Sequence, residues 1–460
     1  MRTGITQRIR LSGTRAISGA SGRSFFCKMD VVKARNGLSA EEQIKWDEIL
    51  NAETKLPKVP RGKKPSREEI SEIKAFRTRK KEFLATLTAT KRDALTQPKG
   101  QKKDGNSADA NAKQARLHEE QMAELETLRI KGPNGEPCRL VDVGINIQTR
   151  FKKLEVQRQL ERSFAAGVDR VILTGCSIKS SLLGVELCKA WYTNEGDNVQ
   201  SKKFPTHGFQ ETPVHVYTTV GVHPHDAKTI ADDTKVNSAK IDELRKLASS
   251  PFCVSLGECG LDYDRMFSPM ETQKRAFEAQ VQLAEELNRP LFVHLRELDQ
   301  DKGEPLGAVS HFEEILGRSS LEPSKVCVHC FTGDLTDLTR LANKGYYIGL
   351  TGYVGMKKRA SATGTLDAIG ASHSPLSLER LLIETDSPFM RPDKTWLPST
   401  LRKSKNNEPC VLPSVCRAIA SEFHGGKHSA WEIAERTSLN AMSFFCVSEA
   451  DVRISHTTSR

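Results

Sequence analysis

No stretch of this sequence approaches the roughly 20 consecutive apolar residues that a membrane-spanning helix needs. Yet 37% of its 460 residues are hydrophobic, too many for wholesale disorder. No secretory hydrophobic region is present. The 11 cysteines are scattered, odd in number and without regular spacing, so no disulfide framework is legible. Reduced thiols inside a cell are expected. One C-x-x-C occurs, Cys327 to Cys330, and no second one partners it as a zinc ribbon would require. It lies in an apolar strand pattern, where cysteine is commonly a small buried residue. Acidic residues are absent from positions 1–28; the first is Asp30.

The charge that is present is unevenly placed. The formal net charge is +11, but residues 1–131 carry 29 Lys and Arg against 17 Asp and Glu. The remaining 329 residues carry 40 against 41. The basic character therefore belongs to the N-terminal third, which suits a chain that meets polyanions.

Arg2, Arg8, Arg10, Arg15, Arg23 and Lys28 make residues 1–28 Arg-rich, Ser-rich and acid-free. That composition describes a mitochondrial transit peptide, and a mitochondrial location is expected. Nuclear or cytoplasmic addresses are the alternatives, since KVPRGKK (58–64) and RTRKK (77–81) are basic runs. Residues 29–137 read as a basic extension, partly helical and partly disordered. Ile70, Ile73, Phe76, Phe83, Leu84 and Leu87 can share one helix side, with Ser66 and Glu69 as a cap. Residues 96–115 are polar and Gly/Asn/Ala-rich, a linker, and a short helix is expected over 115–128.

From residue 138 to 446 the pattern becomes alternating strands and helices, with a tail at 447–460. Strands are expected at 139–145, 170–175, 214–222, 252–257, 291–295, 325–330, 346–350 and 380–385. Helices fall between most of them, for example at 153–166, 270–288 and 334–344. Eight such units over about 300 residues point to an α/β fold, a (β/α)8 TIM-type barrel. An open doubly wound sheet is the alternative, but no G-x-G-x-x-G follows the first strand. Residues 193–213 and 359–377 read as loop insertions.

The expected strands end in chemistry. The fourth runs into SLGECGLDY, where Gly257 and Gly260 predict a sharp turn that leaves Glu258 at the strand tip. The third ends in GVHPH, giving His223 and His225. The fifth ends in FVHLRE, giving His294 and Arg296. The sixth reads VCVHCFTG, with His329, and the eighth LLIETDSP, with Glu384 and Asp386. All stand at C-terminal strand ends, where barrel enzymes keep their active sites. A lone histidine of this kind is ordinary core chemistry; four separate strand ends are not. Imidazoles and carboxylates together suit divalent metals.

The segments GVHPH, GECGLDY, FVHLRE, VHCFTG and ETDSP, in this order, resemble the TatD family of metal-dependent deoxyribonucleases. The resemblance covers about residues 138–446. It implies hydrolysis of phosphodiester bonds in DNA, with RNA left open, by a metal-activated water. Single-stranded or frayed ends and 3′–5′ exonuclease action are implied in the same way. By the family pattern Glu258, His294, His329 and Asp386 fall on metal ligands. His223 and His225 fall near metal and substrate phosphate, beside Arg296. No membrane and no obligate protein partner are implied.

Many relatives carry H-x-H at the end of the first strand. This chain reads VDVGINIQ, with Asp142 kept and Gly144 and Asn146 in the histidine places, a form that resembles one branch of the family. An amide oxygen is a weaker ligand than imidazole, so magnesium becomes the expected cofactor, with manganese or zinc as alternatives. Restoring both imidazoles at Gly144 and Asn146 is expected to tighten manganese or zinc. Asp386 and Glu258 are the expected catalytic carboxylates, Asp386 accepting the proton of the attacking water. Glu384, two residues before Asp386 and on the same strand face, is expected to support a ligand from behind. Asn146, His223, His225 and Arg296 are the expected substrate contacts. Two other readings compete: an amidohydrolase or aminoacyl-tRNA deacylase on the same barrel, and a nucleic-acid-binding protein whose metal site is inert.

Overall fold

A computed structural model describes residues 107–192, 214–299 and 301–447, and scattered helical positions between Glu42 and Phe83. The expected transit segment, the Ser66 cap, the first basic run and the insertion at 193–213 lie outside the described residues. The chain divides into two compact units, Met1–Ala110 and Asn111–Arg460. In the first, Phe76 and Phe83 are helical and Phe83 is buried.

The second unit is a parallel barrel. Its strands are β1 (Leu140–Ile145), β2 (Val168–Leu173), β3 (His215–Val220), β4 (Cys253–Asp262), β5 (Leu291–Arg296), β6 (Val326–His329), β7 (Tyr347–Leu350) and β8 (Leu381–Ile383). They pair in sequential order, all parallel. Helices such as Lys153–Ala165, Met270–Glu286 and Leu335–Asn343 run between them, as the periodicity predicts. β1 meets the chain just beyond β8: Ile145 bridges Ser387, and the Asn146 N–H donates to the Ser387 carbonyl at 2.6 Å. Thr385 adds its N–H (2.9 Å) and hydroxyl (2.6 Å) to the buried Asp142 carboxylate. The retained Asp142 thus serves barrel closure.

Strands covered on both faces read as continuous apolar runs. Inside the barrel, Val141, Ile172, Tyr217, Val254, Phe292 and Leu382 form one buried cluster with Phe444 and Phe445. Those two phenylalanines end the helix Ala430–Phe444, which a Ser429–Glu432 capping box starts. Their rings lie 6.2 Å from Phe292 and 5.1 Å from Tyr347, plugging the barrel below its N-terminal strand ends. Cys327 is buried in the same cluster, as expected of the C-x-x-C.

Three elements differ from expectation. β4 runs on to Asp262 and does not turn after Gly257. The region 359–377 contains two short helices, Lys357–Ala362 and Thr365–Gly370. The N-terminal helix spans Ser107–Thr127, so part of the expected linker is helical. Its last turn belongs to the barrel unit. Leu125 is fully buried in the core shared with Leu140 and Val168. Glu124 accepts the N–H groups of Ser399 (2.5 Å) and Thr400 (3.0 Å). Arg417 donates to the Leu128 carbonyl at 2.8 Å. Apolar burial, invisible in a stretch of such polar composition, decides the matter. We expect Leu125→Ala to lower the unfolding free energy by about 2–5 kcal/mol, the cost of a core cavity. Urea denaturation of the full chain measures this, and an unchanged midpoint would show that the helix is not part of the folded core.

Candidate active site

Two glycines set the path of β4. A Cβ on Gly257 would collide with the Phe292 carbonyl, and one on Gly260 with the His294 carbonyl. Their φ values, +133° and +134°, are ones that L side chains rarely adopt. The glycines therefore serve close approach to β5 and not a turn. The register shifts between Leu256 and Cys259, and the strand then continues to Asp262. Glu258 and Asp262 both reach the C-terminal mouth.

Glu258 is the hub. Its Oε1 lies 2.8 Å from His329 Nε2, 3.2 Å from His294 Nδ1 and 3.3 Å from His223 Nε2. Its Oε2 accepts the Cys176 thiol at 3.2 Å. Asp262 Oδ2 sits between His225 Nε2 (2.7 Å) and His294 Nε2 (3.3 Å). Glu384 lies 3.2 Å from His329 Nδ1 and accepts the Cys330 N–H at 2.7 Å. Imidazoles and carboxylates therefore alternate along one line: His225, Asp262, His294, Glu258, His329, Glu384. On the far side, Asn146 donates to Asp386 at 3.0 Å, and its amide oxygen lies 3.2 Å from Cys176 Sγ.

Burial and neighbouring charge compete at these groups, and the winner differs from one to the next. Burial works to raise the Glu258 carboxyl, but His329 and His223 reverse this and hold it well below the usual carboxylate range. Burial would lower His329; Glu384 and Glu258 instead keep its proton well above the ordinary imidazole range. His294 is raised against burial by Asp262 and Glu258. At His223 burial outweighs Glu258, with His294 beside it, and the ring falls to about 4. Asp386 is pushed well up by burial; His329 opposes this, while Glu258, Glu384 and Asp142 add to it.

The donor atoms of His223, Glu258 and His294 all lie within 4.8 Å of one another. That set fits a divalent metal: two imidazoles and a carboxylate, with Asp262 behind His294. Such a carboxylate fixes the tautomer and raises the basicity of a ligand histidine. Of the expected ligands, Glu258, His294 and His329 come together, and His223 joins them. Asp386 reaches the group through Asn146.

Other expectations need correction. His225 has its Nε2 held by Asp262, so it is committed to the network and not offered to a phosphate through that atom. Arg296 donates to Asp299 at 3.0 Å and to Asp264 at 3.0 Å. Two carboxylates already satisfy its guanidinium, so it is not presented as a phosphate clamp. A Cβ on Gly144 would overlap the Glu384 carboxylate. Gly144→His therefore displaces the group that orients His329, and restoring both imidazoles would not tighten a metal without moving Glu384. Two site residues escaped the sequence reading, Asp262 and Cys176. Asp262 lies four residues from Glu258, hence on the same face of an extended strand, and that spacing was the available signal. Cys176 follows β2 at the same mouth.

The comparisons with known proteins agree with this geometry. The family model of the TatD related DNases matches residues 141–446. The chain belongs to the TatD-related DNase family. Within the TatD family, an exonuclease from Salmonella typhimurium is 32% identical over 307 residues, 66% of this chain and 98% of that protein. It is named a 3′–5′ ssDNA/RNA exonuclease, as is the Escherichia fergusonii protein, 31% identical over 310 residues, 67% of this chain and 100% of that one. The crystal structure of a TatD family hydrolase from Entamoeba histolytica shares the fold, with a TM-score of 0.50 and 21% identity. It matches over 67% of this chain and 98% of that one. This TatD protein is accordingly a metal-dependent nuclease that hydrolyses phosphodiester bonds of DNA.

The protonation pattern yields a measurable consequence. The carboxylates around His329 and His294 raise their affinity for a proton, and a metal can use those ring nitrogens only in competition with it. Metal binding should therefore release protons, and apparent affinity should fall as pH falls. Calorimetric metal titrations in two buffers of different ionisation enthalpy report the number. Identical heats in both would show that no proton leaves.

Proposed function

We propose that this TatD nuclease trims single-stranded or frayed nucleic-acid ends in the 3′–5′ direction. The observation that carries the reading is the convergence of His223, His294 and His329 on one oxygen of Glu258 at the barrel mouth. Relatives matched over nearly their full length are named 3′–5′ ssDNA/RNA exonucleases, which supports the direction and the strand. Glu258, His223 and His294, with His329 beside them, would hold a metal. The Asp386–Asn146 side, oxygen-rich and without imidazoles of its own, suits magnesium, while the imidazole-rich side also accepts manganese or zinc. When bound, the metal supplies a more acidic water and a positive charge for the phosphate oxygens.

The chain's own residues do the rest. Asp386 is half-buried and has its proton affinity raised, as suits the acceptor of a proton from the attacking water. Asn146 orients that carboxylate by donating to Oδ1. Asp262 and Glu384 fix the rings of His294 and His329 from behind. The grouped donors of His223, Glu258 and His294 speak against an inert binding protein.

A labelled single strand, duplex and RNA, each incubated with and without EDTA, test the reading. We expect shortening from the 3′ end of the single strand, abolished by EDTA and restored by magnesium or manganese. Glu258→Gln and Asp386→Asn should each lose at least about 100-fold, the scale of general-base catalysis. Asn146→Ala should need more metal but keep turnover within about tenfold at saturation. Near-native rates for Asp386→Asn, with Asn146→Ala inactive, would move the catalytic centre to the end of β1.

A further inference from the structure

Beyond β8 the chain turns back through Asp386, whose carbonyl accepts the Phe389 N–H at 2.9 Å. That turn ties the Phe389 backbone to that of Asp386, and 43% of Phe389 stays exposed. One side of the ring faces a cation: the Arg150 guanidinium carbon lies 4.7 Å from its centroid. Arg150 ends the short helix Ile147–Arg150, which starts directly after Asn146. The aromatic and the arginine are thus tied to the two members of the Asn146–Asp386 pair. Among the described residues Arg150 has no carboxylate partner.

Two residues past Phe389 a cavity of about 530 Å³ opens. Lys358, Arg359, Arg391 and Lys394 line it, against one acid, Asp393. Its walls are the segments that follow β7 and β8, at the same end of the barrel as Glu258. Arg391 is braced by donating to the carbonyls of Leu401 (3.2 Å) and Arg402 (3.0 Å). Lys358, Arg359 and Lys394 form no ion pair among the described residues. Four cations without matching carboxylates form a surface for an anion, and their distance along the chain from Asp386 is only a few residues on the β8 side.

We propose that Phe389, with Arg150 over its ring, is the platform on which a base next to the scissile phosphodiester stacks. The following phosphates of the same strand then run into the Lys358–Arg359–Arg391–Lys394 cavity. The inference rests on the nuclease reading and gives it a physical selector. A base in a duplex already has its faces stacked and its edge paired; a base in a single strand offers a free face. The stacking is indifferent to which base is present, while the cavity reads only backbone charge.

Binding of a short, end-labelled single strand to the full chain, followed by anisotropy without divalent metal, tests this. The strand is used intact and with abasic residues at its 3′ end. Phe389→Ala should weaken the intact strand about tenfold and leave the abasic strand nearly unchanged. Phe389→Tyr should restore the native value. Lys358→Ala with Lys394→Ala should flatten the salt dependence for both strands, by about 0.7 in slope per lost phosphate contact. If Phe389→Ala binds the intact strand like the native chain, or weakens both strands equally, the platform is overturned. Native binding of this pattern without any metal-dependent cleavage would instead refute the nuclease reading and leave the platform standing.

Discussion

One oxygen of Glu258 faces nitrogens from three imidazoles, and the mouth of the barrel is built around that contact. A buried carboxylate is tolerated only with compensating charge and hydrogen bonds. Here the compensation comes from β6, from β5 and from the turn after β3, so these strand ends must converge on one point. The glycines of β4 make the convergence possible by letting it press against β5. Gly221 belongs to the same device, since a Cβ there would collide with the backbone of Gly257. Each imidazole that meets Glu258 needs its second nitrogen satisfied, and Asp262 and Glu384 do this for His294 and His329. The alternation of bases and acids follows from applying one rule of buried polar groups repeatedly.

The two ends of the barrel divide the work. The lower end is filled by Phe292, Phe444 and Phe445, with Tyr347 and Cys327 in the same buried cluster. The upper end collects the imidazoles of His223, His225, His294 and His329, the carboxylates of Glu258, Asp262, Glu384 and Asp386, the Cys176 thiol and the Asn146 amide. Its stability is held by Thr385 and Asp142 at the β1–β8 seam, and by the rest of the barrel. Such a division lets the charged end be organised for chemistry while the apolar end secures the fold.

Much of this was legible from residues alone. Eight apolar runs with helices between them are present within a few residues of where periodicity puts them. His223, His294 and His329 meet Glu258 at the C-terminal end of the barrel, where the strand pattern puts them. What was not legible depended on the third dimension. Glycines at 257 and 260 carry the same local signal whether they turn the chain or admit a neighbouring strand. Only the adjacent β5 backbone decides. Arg296 sits beside a ligand in sequence, but Asp264 and Asp299 capture its guanidinium in space. His225 looked like a substrate contact because its partner, Asp262, lies 37 residues away on another strand. The helix Ser107–Thr127 was half hidden because a few buried residues, Leu125 foremost, outweigh a polar composition.

Kinship and packing draw the edge of this molecule in different places. The region shared with relatives opens at Val141, on the first strand. The cohesive body opens some thirty residues earlier, at Asn111. Between them lies a helix whose carboxylate at Glu124 grips the backbone of Ser399 and Thr400. That backbone is the far limb of the excursion that begins at Asp386 and carries Phe389 and Arg391. The helix therefore acts as a splint: a carboxylate outside the region that the family model matches holds in place one wall of the mouth inside it.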